Sequence, residues 1–83
     1  MNELAETPMT EQNAMRLADQ TIMQLRRNRY TRAVWLVGGE ITRTPNADED
    51  VAYMLQAGAV LVGVFGPDIQ RRDLADAIIE AMA

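Results

Sequence analysis

Two uninterrupted apolar segments constrain the fold of this chain more than any other feature of its sequence. The first is AVWLV, residues 33–37, and the second is AVLVGVF, residues 59–65. Each is too short for a typical helix and rich in strand-forming residues. Neither alternates with polar residues, as a strand with one solvated face would. The pattern therefore predicts two buried strands, covered on both faces as in a parallel sheet.

Helical patterns precede, separate and follow these segments. Thr10 can cap a helix that runs to about Asn28. The loop EITRTPNADED is expected to lead to a second helix, between a cap at Asn46 and a stop at Gly58. A third helix is expected to follow a cap at Asp68. The first helix carries apolar residues at intervals of three and four, which predict one buried stripe: Ala14, Ala18, Ile22 and Leu25.

The expected order is α-β-α-β-α, in a single small α/β domain over residues 10–83 behind a loose lead at residues 1–9. A strand–helix–strand unit of this spacing predicts a right-handed parallel crossover. Two parallel strands alone leave unpaired backbone at both outer edges. We therefore expect another chain to complete the sheet, either in a homo-oligomer or as part of a larger protein subunit.

Composition excludes several function classes. The 83 residues include no cysteine and no histidine, which removes disulfides, the usual metal ligands and the imidazole base. No convergent pair of acids is evident, so neither catalytic nor metal-binding residues are predicted, and a standalone enzyme is not expected. The net charge of −4 argues against nucleic acid or an anionic membrane as partner. No apolar run approaches the length of a membrane span, and a cytoplasmic protein is expected.

Both apolar segments end in glycine, and these ends are the candidate ligand site. Gly38 and Gly39 follow the first segment, and Gly66 and Pro67 follow the second. In parallel α/β folds ligands lie at the carboxyl ends of strands, where glycine lets a ligand approach the backbone. The alternative is that these residues serve only turn geometry. Glu40 is the one carboxylate placed beside such a strand end.

A cluster of basic residues in LRRNRYTR offers a second candidate site. It contains four arginines and Tyr30, and it could hold a phosphate or an acidic partner. The alternative is a solvated helix end whose positive charge complements the helix dipole. The four arginines are Arg26, Arg27, Arg29 and Arg32.

Residues 33–82 resemble the C-terminal half of the cobalamin-binding domains of acyl-CoA mutases. The resemblance lies in VWLVGGEI, DEDVAYMLQAGA and VGVFGPDI, in that order. It implies a flavodoxin-like, doubly wound parallel sheet with cobalamin against Gly38, Gly39, Gly66 and Pro67, and a mutase-type (isomerase) catalytic partner. The family's cobalt-ligating histidine has no counterpart here, and Asp68 stands where the family has a glycine. The resemblance thus implies a subunit or remnant that does not itself ligate cobalt.

Two other interpretations of the sequence stay open. GGEITRTPNADEDVAYMLQAGAVLVGVFG also resembles the last quarter of a phosphate-binding TIM barrel, although Pro67 lacks the amide that such a loop would donate. Alternatively, the chain is a non-catalytic protein–protein assembly module, with open sheet edges that bind another chain and glycines that only form turns.

Overall fold

The computed structural model describes residues 10–83, so the predicted lead at residues 1–9 lies outside the described part of the chain. Three helices and three strands follow one another in the order α1-β1-β2-α2-β3-α3. The α/β class agrees with the sequence-based expectation. The elements are α1 (Glu11–Asn28), β1 (Arg32–Val37), β2 (Glu40–Thr44), α2 (Asp48–Gln56), β3 (Val60–Phe65) and α3 (Arg71–Met82).

Helix α1 begins and ends as its sequence predicts. The Thr10 side-chain oxygen accepts a hydrogen bond from the backbone N–H of Asn13 at 3.1 Å, which satisfies one free amide of the first turn. Arg29 closes the helix in the left-handed region at φ 58°, and its N–H donates to the carbonyl of Leu25. The predicted stripe from Ala14 to Leu25 is buried. The predicted N-terminal caps at Asn46 and Asp68 are wrong, because Ala47 precedes α2 and Gln70 precedes α3, neither with a side-chain cap. The predicted stop after α2 is confirmed, since Gly58 is left-handed at φ 85°.

A tight hairpin joins the first apolar segment to a strand, where the sequence predicts a loop. Gly38 and Gly39 have φ of 59° and 85°, which suits a two-residue turn between strands that twist in the usual sense. The chain reverses there, so that Val37 lies opposite Glu40 and Ala33 lies opposite Thr44. Residues 40–44 are therefore β2, antiparallel to β1.

The predicted parallel pairing of the two apolar strands is wrong. Strand β3 lies on the other side of β1 and is antiparallel to it, with Arg32 opposite Phe65 and Leu36 opposite Val60. The sheet order is β2-β1-β3, so β2 and β3 run in the same direction with β1 between them. Helix α2 is the connection between these two strands, as in a split β-α-β unit. The predicted doubly wound parallel sheet is thus replaced by a three-stranded antiparallel one.

Strand β1 is buried because helices lie on both faces of the sheet. This burial does not depend on whether its neighbours are parallel or antiparallel. Leu36 packs with α1 and α3, and we call that side the α1/α3 face. Trp35 and Ala33 point to the opposite side, the α2 face, where Val51 and Met54 of α2 pack against them. The main core lies between α1 and α3 and the sheet, around Ala14, Leu17, Ala18, Ile22, Leu74, Ala75 and Ile78.

Two exposed ion pairs connect α1 and α3. Arg71 of α3 contacts Asp19 of α1 at 2.7 Å, and Arg72 contacts Glu11 at 2.8 Å. The hydrogen bond to Glu11, and then its charge, raise the pKa of Arg72 above its usual value. Exposed pairs of this kind contribute little to folding, so the apolar contacts between the helices dominate.

Candidate functional site

The four residues predicted to line a ligand face do not lie together. Gly38 and Gly39 form the hairpin turn at one end of the sheet. Gly66 and Pro67 follow β3 at the opposite end, because Phe65 pairs with Arg32 at the start of β1. The carboxyl ends of antiparallel strands lie at opposite ends of the sheet, so the shared ligand face expected from parallel strands does not form. Cobalamin binding at these residues stays a prediction, and the four residues do not line one common pocket.

The turn residues at both ends of the sheet have local roles in the backbone. Gly38 and Gly39 have positive φ, and nothing lies within 4 Å of where a Cβ would stand at either of them, so their conformation rather than close packing calls for glycine. At the other end, the carbonyl of Pro67 accepts a hydrogen bond from Nε of Arg26 at 3.4 Å. That bond connects the loop after β3 with the last turn of α1.

The other two predicted sites are exposed. Glu40 is the first residue of β2, at the rim of the hairpin. Within residues 10–83, no group of three or more histidine, cysteine or acidic residues could hold a metal ion. Just beyond α1, the guanidinium of Arg32, the first residue of β1, stacks over the Tyr30 ring at 4.1 Å from its centroid, and Tyr30 is 49% exposed. This cluster is an open basic surface at the helix end.

The feature that the structure adds is an uncharged, open sheet edge at β3. Only β1 pairs with β3, so the far side of β3 is free of any strand of the described chain. No charged residue occurs between Asp50 and Asp68, a range that includes the whole of β3. Val60, Leu61 and Val64 are 44%, 42% and 43% exposed. The prediction that both apolar segments are buried is therefore right for residues 33–36 of β1, wrong for Val37 beside the hairpin turn, which is 42% exposed, and wrong for β3.

The two edges of the sheet differ in chemistry. Strand β2, at the other edge, carries exposed Glu40 and Arg43 with two threonines in its five residues. Charged side chains on an edge strand discourage pairing with other chains. Strand β3 has no such protection in its composition. It does contain an irregularity, because Val62 is an extra residue between Leu61 and Gly63, which lie opposite Trp35 and Val34.

Helix α2 leaves much of the neighbouring surface uncovered. It is the one helix of the described chain without a buried residue, although Val51 and Met54 pack against the sheet. Leu55 in its last turn is 57% exposed and Tyr53 is 69% exposed. Leu61 and Val64 of β3 lie on this same α2 face, since they pair with Trp35 and Ala33. The open edge therefore borders further exposed apolar side chains.

The apolar pattern predicts unpaired sheet edges that another chain completes, but it predicts an open edge on each of the two apolar strands. The structure closes both sides of β1 and leaves β2 and β3 outside. The long uncharged stretch around β3 was the available signal, because the residues after Gly39 already include Glu40 and Arg43.

No helix within residues 10–83 has both the length and the apolar character needed to cross a membrane. No protein-family model matches the chain, and comparison with curated proteins and with solved structures found no significant match either.

Proposed function

We propose that this chain is a non-catalytic protein–protein assembly module, and that it joins another chain through the outer edge of β3. The observation that carries the proposal is an edge strand with no charge and with three half-exposed aliphatic side chains, Val60, Leu61 and Val64. An exposed apolar edge strand offers its free N–H and C=O groups as a template for a further strand.

The surroundings of β3 support the same function. An added strand on that edge would cover Leu61 and Val64 on the α2 face and Val60 on the α1/α3 face. It would also shield the poorly covered side of α2, where Leu55 is exposed. Burying each aliphatic side chain fully favours association by roughly 1–2 kcal/mol. Backbone hydrogen bonds between the two strands then fix the direction and register of a contact that would otherwise be apolar and non-specific.

Site-specific photo-crosslinking tests the proposal. A photoreactive side chain replaces Leu61 on the β3 edge in the full chain, within cells of the source organism. The matched control carries the same group in place of Arg43, which is exposed on the β2 edge. We expect a discrete protein crosslink from position 61 that is absent from position 43. Equal labelling from both positions, or no protein crosslink from position 61, would contradict the assembly role.

A further inference from the structure

The chemistry of the β3 edge identifies its partner more closely. Resting on the assembly function proposed above, we propose that the occupant is β3 of a second copy of this chain. The two β3 strands pair antiparallel about a two-fold axis perpendicular to the sheet. The three-stranded sheet then becomes a continuous six-stranded one, and the charged β2 strands lie at its two outer edges.

Charge is the first argument for a second copy. Each chain carries a net charge of −4, so two copies repel one another on balance. The stretch between Asp50 and Asp68 is free of charge, and it contains all of β3 and most of α2. Pairing a strand with itself places like residues near each other, which is harmful where charges are present and harmless where none are. The β3 edge is thus a surface on which two acidic copies can meet without bringing like charges together.

The faces of β3 supply the second argument, because residues opposite each other in a sheet must point to the same side. Leu61 and Val64 point to the α2 face, as their pairing with Trp35 and Ala33 requires. Phe65 packs in the α1/α3 core, and Val60 points to that same side through its pairing with Leu36.

One antiparallel register satisfies these directions throughout. It sets Leu61 against Val64 of the second copy and Val60 against Phe65 of the second copy. At its centre, Val62 lies against Gly63 of the second copy. Both residues belong to the α1/α3 face, since Val62 packs in that core and the Phe65 ring covers Gly63 there. Val62, which has no partner in β1, places two adjacent residues on one face of β3, and this is what lets each residue of β3 lie opposite one that points to the same side.

The extent of the contact determines how tightly the copies associate. A single strand edge with a few flanking side chains falls short of the roughly 800 Å² per partner that is typical of stable complexes. We therefore expect a reversible dimer with a micromolar dissociation constant. Its formation is strengthened by salt, because salt screens the repulsion between two acidic chains and weakens no attraction at the uncharged edge.

Cysteine pairing tests the register directly, since the chain contains no cysteine of its own. Residues opposite each other in antiparallel strands have Cα atoms about 4.5–5.5 Å apart, within the range that a disulfide spans. Under mild oxidation, a mixture of Leu61→Cys and Val64→Cys chains is expected to form a linked dimer faster than either variant alone. A mixture of Arg43→Cys and Val64→Cys is the control and is expected to stay largely unlinked. Equal linkage in both mixtures would overturn the register.

Sedimentation of the purified full chain tests the dimer itself, from about 1 µM to about 500 µM and at about 50 mM and about 500 mM salt. We expect the dimer fraction to rise with both variables. Val64→Lys should weaken dimerisation at least about tenfold, because two lysines would be desolvated at the edge. Met23→Lys, at a 57% exposed position on α1, is the matched control and should dimerise normally.

The two proposals fail in different ways. A chain that stays monomeric throughout, while position 61 crosslinks to a protein of another mass in cells, would overturn self-pairing and leave the assembly function standing. A monomer without an edge-specific crosslink would overturn both. A dimer that Met23→Lys disrupts while Val64→Lys does not would show that the copies associate through another surface and would overturn self-pairing.

Discussion

The indole nitrogen of Trp35 donates a hydrogen bond to the side-chain oxygen of Thr44, and the two atoms are 2.9 Å apart. Trp35 is fully buried on the α2 face of β1, whereas Thr44 is the last residue of β2. The Thr44 hydroxyl in turn donates to the carbonyl of Pro45 at 3.1 Å. The largest side chain of the core is thus oriented by the strand that the sequence analysis had treated as a loop.

Replacing Thr44 by valine should cost stability even though the side chain keeps its shape. The indole N–H would be left buried without an acceptor, a loss of about 1–3 kcal/mol in the free energy of unfolding. Thr44→Ser keeps the hydroxyl and is expected to lose clearly less. Urea unfolding followed by tryptophan emission measures both variants. Equal losses for valine and serine would show that the hydrogen bond does not matter.

The hairpin turn yields a prediction about Gly38. At Gly38, with φ of 59°, a β-branched side chain is strained, and Gly38→Val should lower the free energy of unfolding by about 1–2 kcal/mol. Gly38→Asn should be nearly neutral, since Asn-Gly is favoured in two-residue hairpin turns. Thermal unfolding of the two variants provides the measurement. If asparagine were as harmful as valine, a role beyond turn geometry would be indicated.

The helices were predictable from sequence to a much greater degree than the sheet. The stripe from Ala14 to Leu25 repeats at helical intervals, and both ends of α1 carry local signals, the Thr10 cap and the arginines of the last turn. Strand direction has no comparable local signal. Strand β1 is apolar because it lies in the middle of the sheet with helices on both faces, and such burial looks the same in parallel and antiparallel sheets.

The hairpin and the exposed edge were missed for different reasons. A hairpin signal is present in the sequence, because Gly38-Gly39 lies between the apolar segment and the β-branched residues of EITRT. The polar character of that segment and Pro45 after it favoured a loop instead. The exposure of β3 depends on what packs beside it, and its apolar composition equals that of a buried strand. The site residues were misplaced because the strand direction was wrong: Gly38 and Gly66 lie at the same end of the sheet only if β1 and β3 are parallel.

Gly63 should tolerate no side chain while Phe65 keeps its position. A Cβ at Gly63 would lie 2.7 Å from Cζ of the Phe65 ring, two residues further along the same face of β3. Gly63→Ala therefore forces the ring out of the α1/α3 core, at a cost of about 1–3 kcal/mol in the free energy of unfolding. In the Phe65→Leu background the same alanine should cost less, because the smaller side chain leaves room. Urea unfolding of the four proteins in this cycle measures the coupling, and additive losses would mean that the contact is not what excludes alanine.

A corrinoid titration separates the assembly function from the mutase-type resemblance. Trp35 lies on the strand that leads to Gly38, so a ligand bound against that strand end should change its emission with saturation. Because Gly38 and Gly39 lie at the opposite end of the sheet from Gly66 and Pro67, we expect no saturable change with cobalamin once its absorbance is corrected with free tryptophan. The same samples, sedimented at rising concentration, should contain the dimer. A saturable response that Gly38→Val abolishes and Gly38→Asn preserves would instead place a ligand at the hairpin and favour the cofactor-binding interpretation.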